Sequence, residues 1–126
     1  MEYSHLTEKV IGAAFTVYNK LGFGFLESVY ERSMGIELKK HGLEVEVQCP
    51  IKVYYEDEVV GDFVADMLVD GTLIVELKAV RKLNAAHETQ LVNYLVATNK
   101  PVGLLLNFGE ERVEVKRKVR ILPRSG

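Results

Sequence analysis

The chain has 126 residues, 48% of them hydrophobic and 27% charged, with a formal net charge of −2. That length fits one domain spanning residues 1–126 and leaves too little chain for two separate cores, and the composition is that of a globular protein with an ordered interior. The slightly acidic balance excludes nucleic-acid binding through bulk charge, so any such contact has to come from a local patch.

The N-terminal stretch MEYSHLTEKVIG carries early acids and no long apolar block, which does not read as a secretory leader. No window reaches the ~18 consecutive apolar residues of a membrane-spanning helix. Cys49 is the single cysteine and has no intrachain partner, which suits a reducing compartment where it packs as a small hydrophobe. The expectation is a cytoplasmic protein without membrane contact.

Apolar residues at Leu6, Val10, Ala14, Val17, Tyr18 and Leu21 predict a first amphipathic helix over 6–21. GFGF at 22–25 interrupts it, and a second helix is predicted from Leu26 to His41, closing on Lys39, Lys40 and His41 before Gly42. Beyond Gly42 the period drops to two. LEVEVQ alternates, Pro50 breaks the run, and IKVYY resumes it. EDE at 56–58 predicts a turn. VVGDFVADMLV and TLIVELKAV, separated by Asp70-Gly71, predict two strands apolar on both faces, so the sheet needs cover on both sides. The two N-terminal helices supply one cover. A helix over 84–98, with Asn84 as N-cap and Leu91, Tyr94 and Leu95 on one stripe, supplies the other. NKP at 99–101 ends that helix, VGLLLNF at 102–108 reads as a buried strand reached by a helical crossover, and a last strand falls near 113–119. The predicted fold class is α/β, a mixed central sheet flanked by helices.

Asp66, Glu76 and Lys78 place three charges inside the two most apolar strands, where burial of a charge is costly. Two converging carboxylates suit a hard divalent cation, and a lysine beside the ion can hold a phosphate oxygen or position a water. Those parts fit metal-assisted hydrolysis of a phosphodiester. The hairpin register decides whether they meet. A two-residue Asp70-Gly71 loop would turn Asp66 to the face opposite Glu76. A three-residue loop such as Val69-Asp70-Gly71, with Gly71 left-handed, would put Asp66, Glu76 and Lys78 on one face, so an odd-length loop or a bulge is expected.

ADMLVDGTLIVELKAV resembles the Asp…Glu-x-Lys core of the PD-(D/E)XK nuclease superfamily. GFLESVY at 24–30, QCPIKVYY, GDFVADMLVD, VELKAV, HETQLVNYL and GLLLNFG further resemble, in order, a small branch labelled GxxExxY proteins. The resemblance covers nearly the whole chain and implies a restriction-endonuclease-like αβββαβ core. It also implies Asp66 and Glu76 as ligands of Mg²⁺ or Mn²⁺, with help from the Leu77 carbonyl, and Lys78 as the catalytic lysine. Glu27 would complete the metal shell directly or through water, and Gln90 would orient phosphate or water. His87, Tyr30 and Tyr94 are further candidate substrate contacts. Ala65 stands where the family name has its proline, a position that varies freely among members.

The implied activity is Mg²⁺-dependent hydrolysis of DNA. Two other readings stay open: a non-catalytic nucleic-acid-binding or protein-binding module that keeps the fold, and hydrolysis of another phosphodiester such as RNA. A homodimer would supply two sites for cutting both strands. Each residue also has a plainer reading. Glu76 and Lys78 could form a structural ion pair, Glu27 could be a first-turn acid favoured by the helix dipole, His87 could cap its helix, and Tyr30 could pack with its hydroxyl satisfied. Arg112, Lys116, Arg117, Lys118, Arg120 and Arg124 form either a solvated face or a phosphate-tracking rim.

Overall fold

Residues 3–120 are described by a computed structural model, in which alternating periodicities become α1 (Ser4–Leu21), α2 (Glu27–Lys40), β1 (Val45–Tyr55), β2 (Glu58–Val69), β3 (Leu73–Lys78), α3 (Ala85–Thr98), β4 (Val102–Phe108) and β5 (Val113–Val119). The strands form one five-stranded sheet in the order β1-β2-β3-β4-β5. Only the β3–β4 pair is parallel, because only there does a helix carry the chain back across the sheet.

Both faces are covered, as the two-sided apolar strands require. On one face α1 contributes Val10, Ala14 and Val17 and α2 contributes Met34 and Leu38, packed against Met67, Val69, Val75 and Leu104. On the other, Leu91, Tyr94 and Leu95 of α3 pack on Ile51, Ala65, Ile74 and Leu105. Every residue of β4 is buried, since it has strands on both sides and helices above and below. At Gly103 a Cβ would stand 2.7 Å from Leu91 Cδ1, so the missing side chain lets α3 settle close to the sheet. No helix among the described residues is long and apolar enough to cross a membrane.

Two sequence expectations need correction and one is met. Pro50 does not break the strand: β1 runs through it, paired at Val64, because β1 is an edge strand where an absent N–H costs no ladder bond on the outer side. The hairpin loop between β2 and β3 has the expected odd length, as Asp70-Gly71-Thr72 rather than Val69-Asp70-Gly71. Tyr30 cannot contact substrate in this arrangement, since it is fully buried. Its ring stacks on Phe108 at 4.3 Å, and its hydroxyl donates to the Gly22 carbonyl and accepts from Phe25 N–H, fixing the loop from which α2 starts at Glu27. Arg124 lies outside the described residues.

Candidate active site

The β2–β3 ladder pairs Val69 with Leu73, Leu68 with Ile74 and Met67 with Val75, and then stops. The loop that sets this register is closed by Thr72 N–H donating to the Val69 carbonyl at 3.1 Å, with Asp70 and Gly71 at φ of 50° and 65°. Directly beyond the last pair stand Asp66 and Glu76. Their carboxylates take the place of ladder carbonyls: Asp66 N–H donates to Glu76 Oε1 at 3.3 Å, and Leu77 N–H donates to Asp66 Oδ2 at 2.7 Å.

The strand pair also rolls over at this level. Val45, Met67 and Val69 pack on the α1/α2 side, whereas Cys49, Ile51 and Ala65, all of the same parity, pack on the α3 side. The change falls at Gln48, whose φ is 51°, in the gap between the Val47–Met67 and Cys49–Ala65 pairs. Gln48 Nε2 donates to both carboxylate oxygens of Glu31 at 3.0 and 3.1 Å, tying α2 to the roll one turn after Glu27. Sequence reasoning missed Gln48, whose only local signal is that it ends the alternation of LEVEVQ.

Electrostatics gather further residues around the acid pair. Glu76 is only 5% exposed, and burial followed by the neighbouring Asp66 charge pushes its carboxyl up to about 9, with Lys78 offsetting part of the effect. Glu27, at the start of α2, is raised by burial and then by Asp66, and is pulled back by Lys78. The Tyr94 hydroxyl is raised by burial and then by Glu76 and Asp66. Glu27 and Tyr94 therefore approach Asp66 from the two helical layers, and Tyr94 also feels Glu76.

A divalent ion fits this arrangement. The Glu76 carboxyl resists ionisation because burial and then the Asp66 charge outweigh the pull of Lys78, and a dication would supply opposing charge. Among the described residues no group of three His, Cys, Asp or Glu side chains lies close enough to chelate an ion. Asp66 and Glu76 are the candidate direct ligands, and two carboxylates are a count that Mg²⁺ accepts while keeping several waters.

The remaining sequence candidates separate. Gln90 lies one turn before Tyr94 on α3, and the two share a groove of about 1030 Å³ with Tyr54, Phe63 and Asn93. His87 caps its helix: Asn84 Oδ1 accepts from Ala86 and His87 N–H groups, while His87 Nδ1 accepts from Asn84 N–H. Lys118 of the basic C-terminal segment pairs with Glu88 on α3 at 2.8 Å, so part of the proposed rim is already neutralised.

Asn107 is a second residue that sequence reasoning missed. Fully buried in β4, it accepts from Val80 N–H at 2.9 Å and donates to the Val80 carbonyl and to Glu114 Oε1, both at 2.8 Å. Glu114 Oε1 also accepts from Leu83 N–H at 3.2 Å. Since Asn107 is the register partner of Lys78, this clamp fixes the path of the chain as it leaves the lysine. The signal was present as the one polar residue in VGLLLNF.

No curated protein sequence matches the chain significantly. Among solved structures, the crystal structure of SSO0001 superposes with a TM-score of 0.58 at 17% identity, covering 96% of this chain and 61% of that one, which supports the fold. A sequence profile described as the PD-(D/E)XK nuclease superfamily matches residues 4–118, the span that contains both carboxylates, the lysine and every element described above except the last residue of β5. The chain belongs to the PD-(D/E)XK nuclease superfamily.

Proposed function

We propose that this protein is a Mg²⁺- or Mn²⁺-dependent nuclease that hydrolyses DNA phosphodiester bonds. Superfamily membership suggests nuclease activity. The observation that carries the reading to this site is the adjoining of Asp66, Glu76 and Lys78 where the β2–β3 ladder stops, with carboxylates in place of ladder carbonyls. Asp66, Glu76 and the Leu77 carbonyl would hold the ion, with Glu27 reaching it through water. The bound ion supplies Lewis-acid activation of water and of the phosphate. Lys78 places an ammonium beside the reacting phosphate, where it steadies the non-bridging oxygen and orients the attacking water. Gln90 orients the phosphate from α3. The Asn107 clamp keeps Lys78 in place by fixing the chain that follows it.

Incubation with single-stranded, double-stranded and branched DNA plus Mg²⁺ or Mn²⁺ tests the proposal. Wild type should cleave about 10² times faster or more than Asp66→Ala and Lys78→Ala. Equal cleavage by all three proteins would trace the activity to a contaminant and sink the assignment.

A further inference from the structure

The groove between the β1–β2 hairpin and α3 has a composition that the metal site does not explain. Its walls include the rings of Tyr54, Phe63 and Tyr94 and the polar side chains of Thr89, Gln90 and Asn93, and no charged residue lines it. Phe63 and Tyr94 face each other with centroids 5.9 Å apart at 45°. Gly61 makes room for this wall, because a Cβ there would stand 2.8 Å from the Phe63 ring. Tyr54 is 61% exposed and Phe63 43%, so both rings offer free faces to a ligand.

At Tyr94 the groove comes up against the strand segments that carry the acid pair. Tyr94 packs in one cluster with Ala65 and Ile74, the chain neighbour of Asp66 and the residue two before Glu76 on the same strand face. A double helix presents phosphates outward, and a wall without a cation offers them nothing. An unpaired strand presents base faces that stack on aromatic rings and base edges that pair with amides and hydroxyls, each of which both donates and accepts.

We propose that this groove binds the bases of an unpaired nucleic-acid strand and delivers the adjoining phosphodiester to Asp66 and Glu76, making single-stranded DNA or a frayed end the substrate class. The proposal rests on the nuclease reading for the delivery step and on the groove itself for binding.

Fluorescence anisotropy in chelator, where no turnover occurs, tests the binding directly. The probes are oligothymidylate of about 12 nucleotides, within the ~4–16 typical of single-strand sites, and a blunt duplex of equal length. The single strand should bind at least about tenfold more tightly than the duplex. Tyr54→Ala should weaken single-strand binding about tenfold while leaving duplex binding and the melting temperature unchanged, and Tyr54→Phe should retain the affinity. Equal or tighter duplex binding, or a Tyr54→Ala protein that holds the single strand as well as wild type, overturns the proposal. So does a dimer that dissociates on Tyr54→Ala with strand affinity unchanged, which would assign the groove to a second copy. Tyr54-dependent strand binding without cleavage in any metal would support the groove and remove the nuclease reading. Metal-dependent duplex cleavage with no single-strand preference would do the reverse.

Discussion

Glu76 concentrates the cost of the site in one carboxyl. Its folded value of about 9 exceeds the ordinary 4.5, so between those pH values the folded protein binds more protons than the unfolded chain. Stability of the metal-free protein should therefore fall as pH rises from about 5 towards 9. Glu76→Gln removes the titration, and calorimetry should show it melting several degrees above wild type at pH 8 and close to wild type at pH 5. A wild-type melting temperature that climbs over that range would show Glu76 to be ionised already. Asn107→Ala makes a different prediction at the same scale. It strips partners from both Val80 backbone groups and from Glu114, and should cost about 2–3 kcal/mol in chemical denaturation, the penalty for buried groups left unpaired. Cleavage should fall with it even at temperatures where the variant is folded, because the path of the chain after Lys78 loosens.

α3 is the element on which both the site and the groove depend. Its N-terminus is fixed by the Asn84–His87 capping box, and its inner face rests on β4 where Gly103 leaves room for Leu91. Gly103→Ala forces a methyl against a fully buried leucine, and overpacking of that kind costs about 1–3 kcal/mol. The predicted result is a lower denaturation midpoint accompanied by weaker activity, as the helix lifts and carries Tyr94 away from the acids. The β2–β3 hairpin is the other decisive element. Its three-residue loop brings Asp66 level with Glu76, whereas a loop of even length would shift the register by one residue and turn Asp66 away.

For the molecule as a whole, the metal and the fold should be linked. A ligand that binds only the folded state stabilises it by about 2.7 kcal/mol at a hundred times its dissociation constant. Mg²⁺ or Mn²⁺ should accordingly raise the melting temperature. The rise should be larger at pH 8 than at pH 6, because the ion must displace the proton that burial and Asp66 keep on Glu76. Asp66→Ala should abolish the rise. An equal shift in that variant would place the ion elsewhere on the surface.

The order of elements was legible in the chain because helix and strand periods, the Asn84 cap and the Gly42 stop are written in residues close in sequence. So was the candidate site, because Asp66, Glu76 and Lys78 stand out as charges in otherwise apolar strands. Superfamily membership followed from the same residues in order. Pro50 was misread because its tolerance depends on β1 being an edge strand, which the sequence alone does not reveal. Tyr30 and His87 could not be assigned from spacing, since a hydroxyl or a ring nitrogen serves packing, capping or substrate according to what folds against it. The face change at Gln48, the clamp at Asn107 and the groove between the hairpin and α3 likewise required the tertiary structure. Local pattern determines which way neighbouring side chains alternate. Which distant polar atoms meet is decided by register and packing.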